Sequence, residues 1–99
     1  MQTREASVDR DLVERLRAAV PVPLVLHGSS GLSDDELRGA VHAGMTKINI
    51  STHLNGLFTR ALRTVLDERP DVVDPRKYVS AGRDAIATET ARLLTLLHA

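Results

Sequence analysis

Apolar residues recur along this chain in two distinct rhythms. Leu12, Val13, Leu16 and Val20 fall at helical spacing, with Arg10, Glu14, Arg15 and Arg17 on the opposite face. Ser7 or Asp9 can start that helix. Pro21 and Pro23 stop it, because each lacks a backbone donor and restricts the residue before it. Leu24-Val25-Leu26 then has no polar face at all, which suits a central parallel strand better than a half-exposed antiparallel one. Gly28-Ser29-Ser30-Gly31 reads as a loop. Ser33 stands where a second helix needs its N-cap, with Glu36 placed to close a capping box. Leu37, Ala40 and Val41 form that helix's inner stripe, and Gly44 is its stop.

Met45 to Ile50 reads as a second strand, with Ile48 and Ile50 on one face and Lys47 and Asn49 on the other. Ser51-Thr52 turns the chain into the most regular helical stripe of the sequence: Leu54, Leu57, Phe58, Ala61, Leu62, Val65 and Leu66. Pro70 and Pro75 bracket a loop, Asp71 to Lys77. A last helix is expected from about Ser80 to Leu97, with Ala85, Leu93, Leu96 and Leu97 facing inward. Helices alternating with buried strands predict a parallel α/β architecture with right-handed crossovers. Two strands do not complete a parallel sheet, whose faces and edges need neighbours. The pattern therefore reads as a single partial domain over residues 1–99, a piece of something larger.

Composition narrows the function classes. At 99 residues with 42% hydrophobic and 26% charged content, the chain has the composition of a globular domain rather than a disordered one. Aromatics make up only 2%, Phe58 and Tyr78, so the core must be built from Leu, Val, Ile and Ala, with little stability to spare. Thirteen basic against thirteen acidic residues leave no net charge to attract nucleic acid or an anionic membrane. The absence of cysteine excludes a disulfide scaffold and a thiolate metal site, and fits a reducing cytoplasm. No apolar run reaches the roughly 20 residues of a membrane-spanning helix, and the N-terminus has no apolar signal core. The expectation is a cytoplasmic protein without nucleic-acid or membrane partners.

Both strands end in small polar residues, His27-Gly28-Ser29-Ser30-Gly31 after the first and Asn49-Ile50-Ser51-Thr52 after the second. Glycine lets backbone approach an anion closely, hydroxyls and backbone N–H groups donate to it, and a helix N-terminus adds partial positive charge. Two such loops on adjacent strand ends can clamp one phosphate without an arginine. Each residue also has a plainer role open to it. The glycine- and serine-rich stretch is equally a strand-to-helix turn. His27 is either a metal ligand at a strand end or a hydrogen-bonded structural histidine. Asn49 either serves a substrate hydroxyl or ties down the turn. His42 and His98 read as exposed or terminal residues, and His53 as a residue that opens a helix. Arg60, Arg63 and Arg69 read as a solvated face.

The segment Val22-Pro23-Leu24-Val25-Leu26-His27-Gly28-Ser29-Ser30-Gly31 resembles the PLVLHG-x-SG signature of class II, zinc-dependent ketose-bisphosphate aldolases, the fructose- and tagatose-bisphosphate type. Gly44-Met45-Thr46-Lys47-Ile48-Asn49-Ile50-Ser51-Thr52 resembles the same family's G-x-x-K-x-N-x-x-T segment. Asp74-Pro75-Arg76-Lys77-Tyr78 is similar to its closing region. The resemblance covers about residues 10–99. It implies the C-terminal part of a (β/α)8 barrel whose members cleave a ketose bisphosphate reversibly to dihydroxyacetone phosphate and an aldehyde. In that family a zinc ion on three histidines stabilises the ene-diolate. By the resemblance, His27 matches the last zinc ligand, and Gly28, Ser29 and Ser30 match contacts to dihydroxyacetone phosphate. Asn49, Ile50, Ser51 and Thr52 match a second phosphate-side segment.

The departures are as informative. A whole barrel needs about 250 residues, and the family's other two zinc histidines and its catalytic aspartate lie on earlier strands. No catalytic residue is therefore assigned here, and His53 stands where many relatives carry an acidic or other polar residue. The reading is half a lyase site, inactive alone and completed by the missing strands of an N-terminal aldolase segment; the expected partners are a phosphorylated sugar and either that segment or a second copy in a homo-oligomer. Two alternatives stand beside it: a non-catalytic phosphate-binding remnant that folds by self-association, and a truncated reading frame.

Overall fold

The elements follow one another as α1 (Arg10–Ala19), β1 (Leu24–Leu26), α2 (Asp34–Ala43), β2 (Met45–Ile48), α3 (Thr52–Glu68) and α4 (Pro75–Leu97), with a short 3-10 turn at Ser29–Gly31. This is the architecture of a computed structural model that describes residues 6–98; the ends of the expected 1–99 domain lie outside them. The chain forms two compact units, Met1–Ile50 with Leu96–Ala99, and Ser51–Thr95.

In the first unit, Asp9 rather than Ser7 caps α1, its carboxylate accepting the Leu12 N–H at 3.0 Å. The helix closes where the Val20 N–H bonds the Leu16 carbonyl at 2.9 Å, one residue before Pro21. Of the expected stripe only Val13 is buried, while Leu12 and Leu16 stay about two-fifths exposed (43% and 41%). Ser33 caps α2 by accepting the Glu36 N–H at 3.2 Å. The Glu36 carboxylate, expected to close a capping box, instead accepts the Val8 N–H at 3.0 Å. That fastens the segment entering α1 to the start of α2, as does the Arg10 guanidinium, which donates to the Asp35 carbonyl at 3.2 Å. Leu37, Gly39, Ala40 and Ala43 are buried along α2. The Arg10 guanidinium lies over Gly39, in the space a Cβ there would take, so a side chain at this position would have to push that guanidinium aside. Gly44 ends α2 with φ 134°, in the region that favours glycine.

β1 and β2 pair in parallel, Leu24 with Met45, Val25 with Lys47 and Leu26 with Ile48, with an irregularity between Leu24 and Val25. They form a two-stranded sheet with α2 as the connection between them. β2 is shorter than expected, ending at Ile48 rather than Ile50. The Asn49 N–H still continues the ladder to the Leu26 carbonyl at 3.0 Å, but the Asn49 carbonyl accepts a side chain instead, the Ser29 hydroxyl at 2.6 Å. That capture ends the strand. Val25, in the middle of the wholly apolar run, is 41% exposed.

In the second unit, α3 has Leu54, Leu57, Phe58, Ala61, Leu62 and Val65 of its expected stripe half-buried, while Leu66, the last of them, is exposed. α4 begins at Pro75, five residues earlier than expected. Asp74-Pro75 is itself a helix start: the Asp74 carboxylate accepts the Arg76 N–H at 3.0 Å, and proline needs no partner for a first-turn N–H it lacks. Gly82 and Leu93 are the buried residues of α4. The Phe58 ring lies on Gly82, and His53 meets Glu89, so α3 and α4 run antiparallel.

A Cβ on Gly82 would fall 2.5–2.8 Å from three carbons of the Phe58 ring. Replacing glycine inside a helix gains about 1 kcal/mol in propensity, but overpacking costs about 1–3 kcal/mol. Gly82→Ala is expected to lower the urea midpoint of the full chain, and Phe58→Leu in the same background to restore part of it. A raised midpoint for Gly82→Ala alone would show that the ring yields freely.

Candidate functional site

Parallel pairing brings the carboxyl ends of β1 and β2 level, so the residues that follow them meet. His27 leaves β1 exposed to solvent. Gly28 then takes φ 65°, a left-handed conformation that glycine adopts without strain, and nothing lies within 4 Å of where its Cβ would be. Ser29, Ser30 and Gly31 form the 3-10 turn, closed by the Leu32 N–H on the Ser29 carbonyl at 3.0 Å. From the other strand, the Asn49 side-chain Nδ2 donates to His27 Nδ1 at 2.9 Å.

Asn49 is thus held to the first strand end through three of its groups: its N–H on Leu26, its carbonyl under Ser29, and its carboxamide on His27. Ser29 is the buried polar residue of the cluster, 5% exposed, and its hydroxyl is spent on that carbonyl. With the hydroxyl's one hydrogen committed there, any hydrogen bond Ser29 donates to an anion must come from its backbone N–H. His27, Gly28, Ser29, Ser30, Asn49 and Ile50 all belong to the first unit. Ser51 and Thr52 belong to the second, where both are exposed at the opening of α3. Ser51 occupies the N-cap position with φ −138° and ψ −65° and makes no side-chain capping bond there.

Among the described residues no three His, Asp or Glu side chains converge closely enough to hold a metal ion. His27 offers one imidazole where zinc takes three protein ligands plus water or substrate. The residues of this chain do not by themselves fit a zinc site. A surface cavity of about 620 Å³, lined by Arg10, Glu14, Asp35, Arg38, Gly39, His42 and Ala43, shares no residue with the strand ends.

One polar network in the second unit escaped the sequence. His53, near the start of α3, donates through Nε2 to Glu89 Oε2 at 2.5 Å. The same carboxylate accepts Arg92 Nε on Oε1 at 2.5 Å and Nη2 on Oε2 at 2.9 Å. The Arg92 guanidinium foremost, and His53 after it, hold the Glu89 carboxyl down to about 2 against the opposing effect of burial. Glu89 and Arg92 are an ordinary i, i+3 pair on α4, legible as such. That they reach a histidine 36 residues away is a tertiary fact. His53 is thereby a structural residue of this unit.

A family model described as Fructose-bisphosphate aldolase class-II matches residues 1–99. Among solved structures, the YdjI aldolase from Escherichia coli K12 is similar over 96% of this chain, at 33% identity and a TM-score of 0.75. The chain spans 35% of that protein's length.

The depressed Glu89 carboxyl sets a sign for pH dependence. A carboxyl that titrates lower in the folded than in the unfolded state stabilises above its ordinary value of 4.5, and that contribution is lost as pH falls through about 2. Arg92 is 42% exposed, so water screens much of the pairing. Glu89→Gln is expected to cost about 1 kcal/mol at neutral pH. Denaturant titrations should show the gap between variant and parent narrowing below pH 4.5 and closing near pH 2. A gap independent of pH would separate Glu89 from its charged partners.

Proposed function

Because the chain belongs to the class II fructose-bisphosphate aldolase family, we propose that it carries the phosphate-side strand ends of a lyase site. That site would cleave a ketose bisphosphate to dihydroxyacetone phosphate and an aldehyde. The single observation carrying this reading is the juxtaposition at the carboxyl ends of two adjacent parallel strands. There His27, the Gly28–Gly31 turn and Asn49 converge, with Asn49 Nδ2 2.9 Å from His27 Nδ1. In parallel α/β barrels the loops at this end carry the chemistry, and the last two strands commonly hold phosphate.

Within the proposal, the chain is one partial domain, the C-terminal segment of a (β/α)8 barrel. The exposed Val25 in an all-apolar strand is what a strand buried on both faces looks like without its neighbours. Gly28, Ser29 and Ser30 bind the dihydroxyacetone phosphate moiety through backbone N–H groups and the Ser30 hydroxyl, with Gly28 giving the backbone close approach. Asn49 and Ile50, and separately Ser51 and Thr52, supply the second phosphate-side segment. His27 would be one of three zinc ligands. The other two and the acid–base group would come from an N-terminal aldolase segment, so the chain alone is without turnover. Within this reading the setting is cytoplasmic.

A second reading, a phosphate-binding module that self-associates, is favoured by the apolar side chains of Leu12, Leu16 and Val25 left two-fifths exposed in the first unit (43%, 41% and 41%). Titration of the full chain with dihydroxyacetone phosphate, read by amide shifts at Gly28 to Ser30 and Asn49 to Thr52, separates the two. Binding that requires an added N-terminal aldolase segment, with lyase activity appearing alongside it, supports the split site. Binding by the chain alone, without turnover in the mixture, supports the module. Cleavage by the chain alone with added zinc would overturn the account of missing ligands.

A further inference from the structure

Lys47 stands two residues before Asn49 on β2, in register with Val25 of β1, and neither the turn nor the Asn49–His27 contact uses it. The two faces of the sheet differ. Thr46 and Ile48 line a surface hollow of about 380 Å³ together with Arg17 of α1 and Val41 of α2, so that face is turned to the helices. Side chains alternate along a strand, which turns Lys47 and Asn49 the other way. Val25 and His27 share that outward side. Val25 is 41% exposed, Lys47 and His27 are exposed, and the Asn49 carboxamide meets the His27 ring there at 2.9 Å.

Charge on that side has one sign. Residues 22–32 and 44–52, which build the strands and their ends, contain no Asp or Glu, and Lys47 and His27 are their only basic side chains. The arginines described in the first unit, Arg10, Arg15, Arg17 and Arg38, stand on α1 and α2. A chain of zero net charge thus keeps an ammonium without a local carboxylate on the sheet face that leads to the Gly28–Gly31 turn. Residues two apart on a strand are separated by about 6.6–6.8 Å, and lysine's flexible four-carbon stem lets its charge rise from there toward the level of Asn49. Backbone N–H groups and hydroxyls donate to a phosphate without neutralising it, and a phosphate monoester carries a charge of about −1.5 to −2 at neutral pH.

From this placement we propose that Lys47 is a specificity-determining residue of the phosphate-side site. Its ammonium supplies the fixed positive charge that selects a phosphorylated ligand over the same molecule without its phosphate. The inference rests on the reading that the two strand ends seat a phosphate. Within that seat the two parts act differently. The backbone of Gly28 to Ser30 fixes where the phosphate sits, whereas a lysine attracts it as a point charge and asks little of its geometry. Because Lys47 is exposed, that attraction is screened by salt, while hydrogen bonds from the turn are much less so.

The full chain is titrated with dihydroxyacetone phosphate and with dihydroxyacetone, with and without an added N-terminal aldolase segment. Amide shifts at Gly28 to Ser30 and the Lys47 side-chain 13C signals report binding. Lys47→Met keeps an unbranched stem and removes the charge; Lys47→Arg keeps the charge. Lys47→Met should bind the phosphorylated ligand about tenfold more weakly than the parent, the low end for a charge-assisted hydrogen bond, and with a shallower dependence on salt. Lys47→Arg should retain most of the affinity and of the salt dependence, and dihydroxyacetone should not distinguish the three chains. Equal affinity and equal salt dependence in the parent and Lys47→Met would overturn the inference while leaving the phosphate seat in place. If Lys47→Met weakened capture of the segment but not of the phosphorylated ligand, Lys47 would be an ion-pair partner of that segment, and the inference would again be overturned. No shift at Gly28 to Ser30 in any chain, with or without the segment, would overturn the phosphate-side reading itself, and the inference with it.

Discussion

Parallel pairing of two short strands is the constraint on which the site depends. Leu26 faces Ile48 across the ladder, and the next bond runs from the Asn49 N–H to the Leu26 carbonyl. That register puts the residue after β1, His27, beside the residue after β2. A slip of one position would turn Asn49 to the other face of the sheet and separate the two side chains. The Ser29 hydroxyl then locks the arrangement by taking the Asn49 carbonyl, so the turn after β1 and the end of β2 become one piece. Loss of that hydroxyl would leave a carbonyl beneath a buried residue without its donor, a larger penalty than the bond's net contribution.

The main lines of the fold were legible because local signals and periodicity agreed. Ser33 and Gly44 bound α2 as their types require, and the apolar run of Leu24 to Leu26 is β1. Where the reading failed, a competing local or tertiary bond won. Asp74-Pro75 starts α4 early because aspartate before a first-turn proline is a better beginning than Ser80. β2 stops at Ile48 because a side chain from the preceding turn captures the next carbonyl. Glu36 turns from its own helix start to Val8 because the incoming chain passes within reach. None of these partners stands at a spacing that a periodicity argument inspects.

The strand-end residues themselves were legible from chemistry-bearing motifs, but their contacts were not. Sequence alone left His27 between ligand and structural residue, and Asn49 between substrate contact and turn tie. The structure does not choose one role for each; it makes the two residues partners. Ser29 changes more. As a hydroxyl in a glycine- and serine-rich loop it reads as a ligand donor, whereas in the fold its hydroxyl is buried and committed. The distinction between a serine that binds and a serine that builds rests on which carbonyl lies within 3 Å, and that carbonyl is 20 residues away in the chain.

His53 shows how a tertiary ion pair anchors a helix start. At the opening of α3 this chain has a base, and it also has a carboxylate facing that base from α4. Glu89 is then shared between His53 and Arg92, so the negative charge is present but borne by the other helix. Because the Arg92 guanidinium is the stronger partner, the carboxylate stays ionised well into acid. The opening turn of α3 is therefore tied to α4 by a charge that persists over the working range of pH. Ser51 and Thr52 precede that tie directly in the chain, and Ser51 makes no side-chain cap of its own. A helix start without a capping side chain is ordinarily frayed. Here the anchoring is tertiary instead, which leaves the Ser51 side chain uncommitted as a cap.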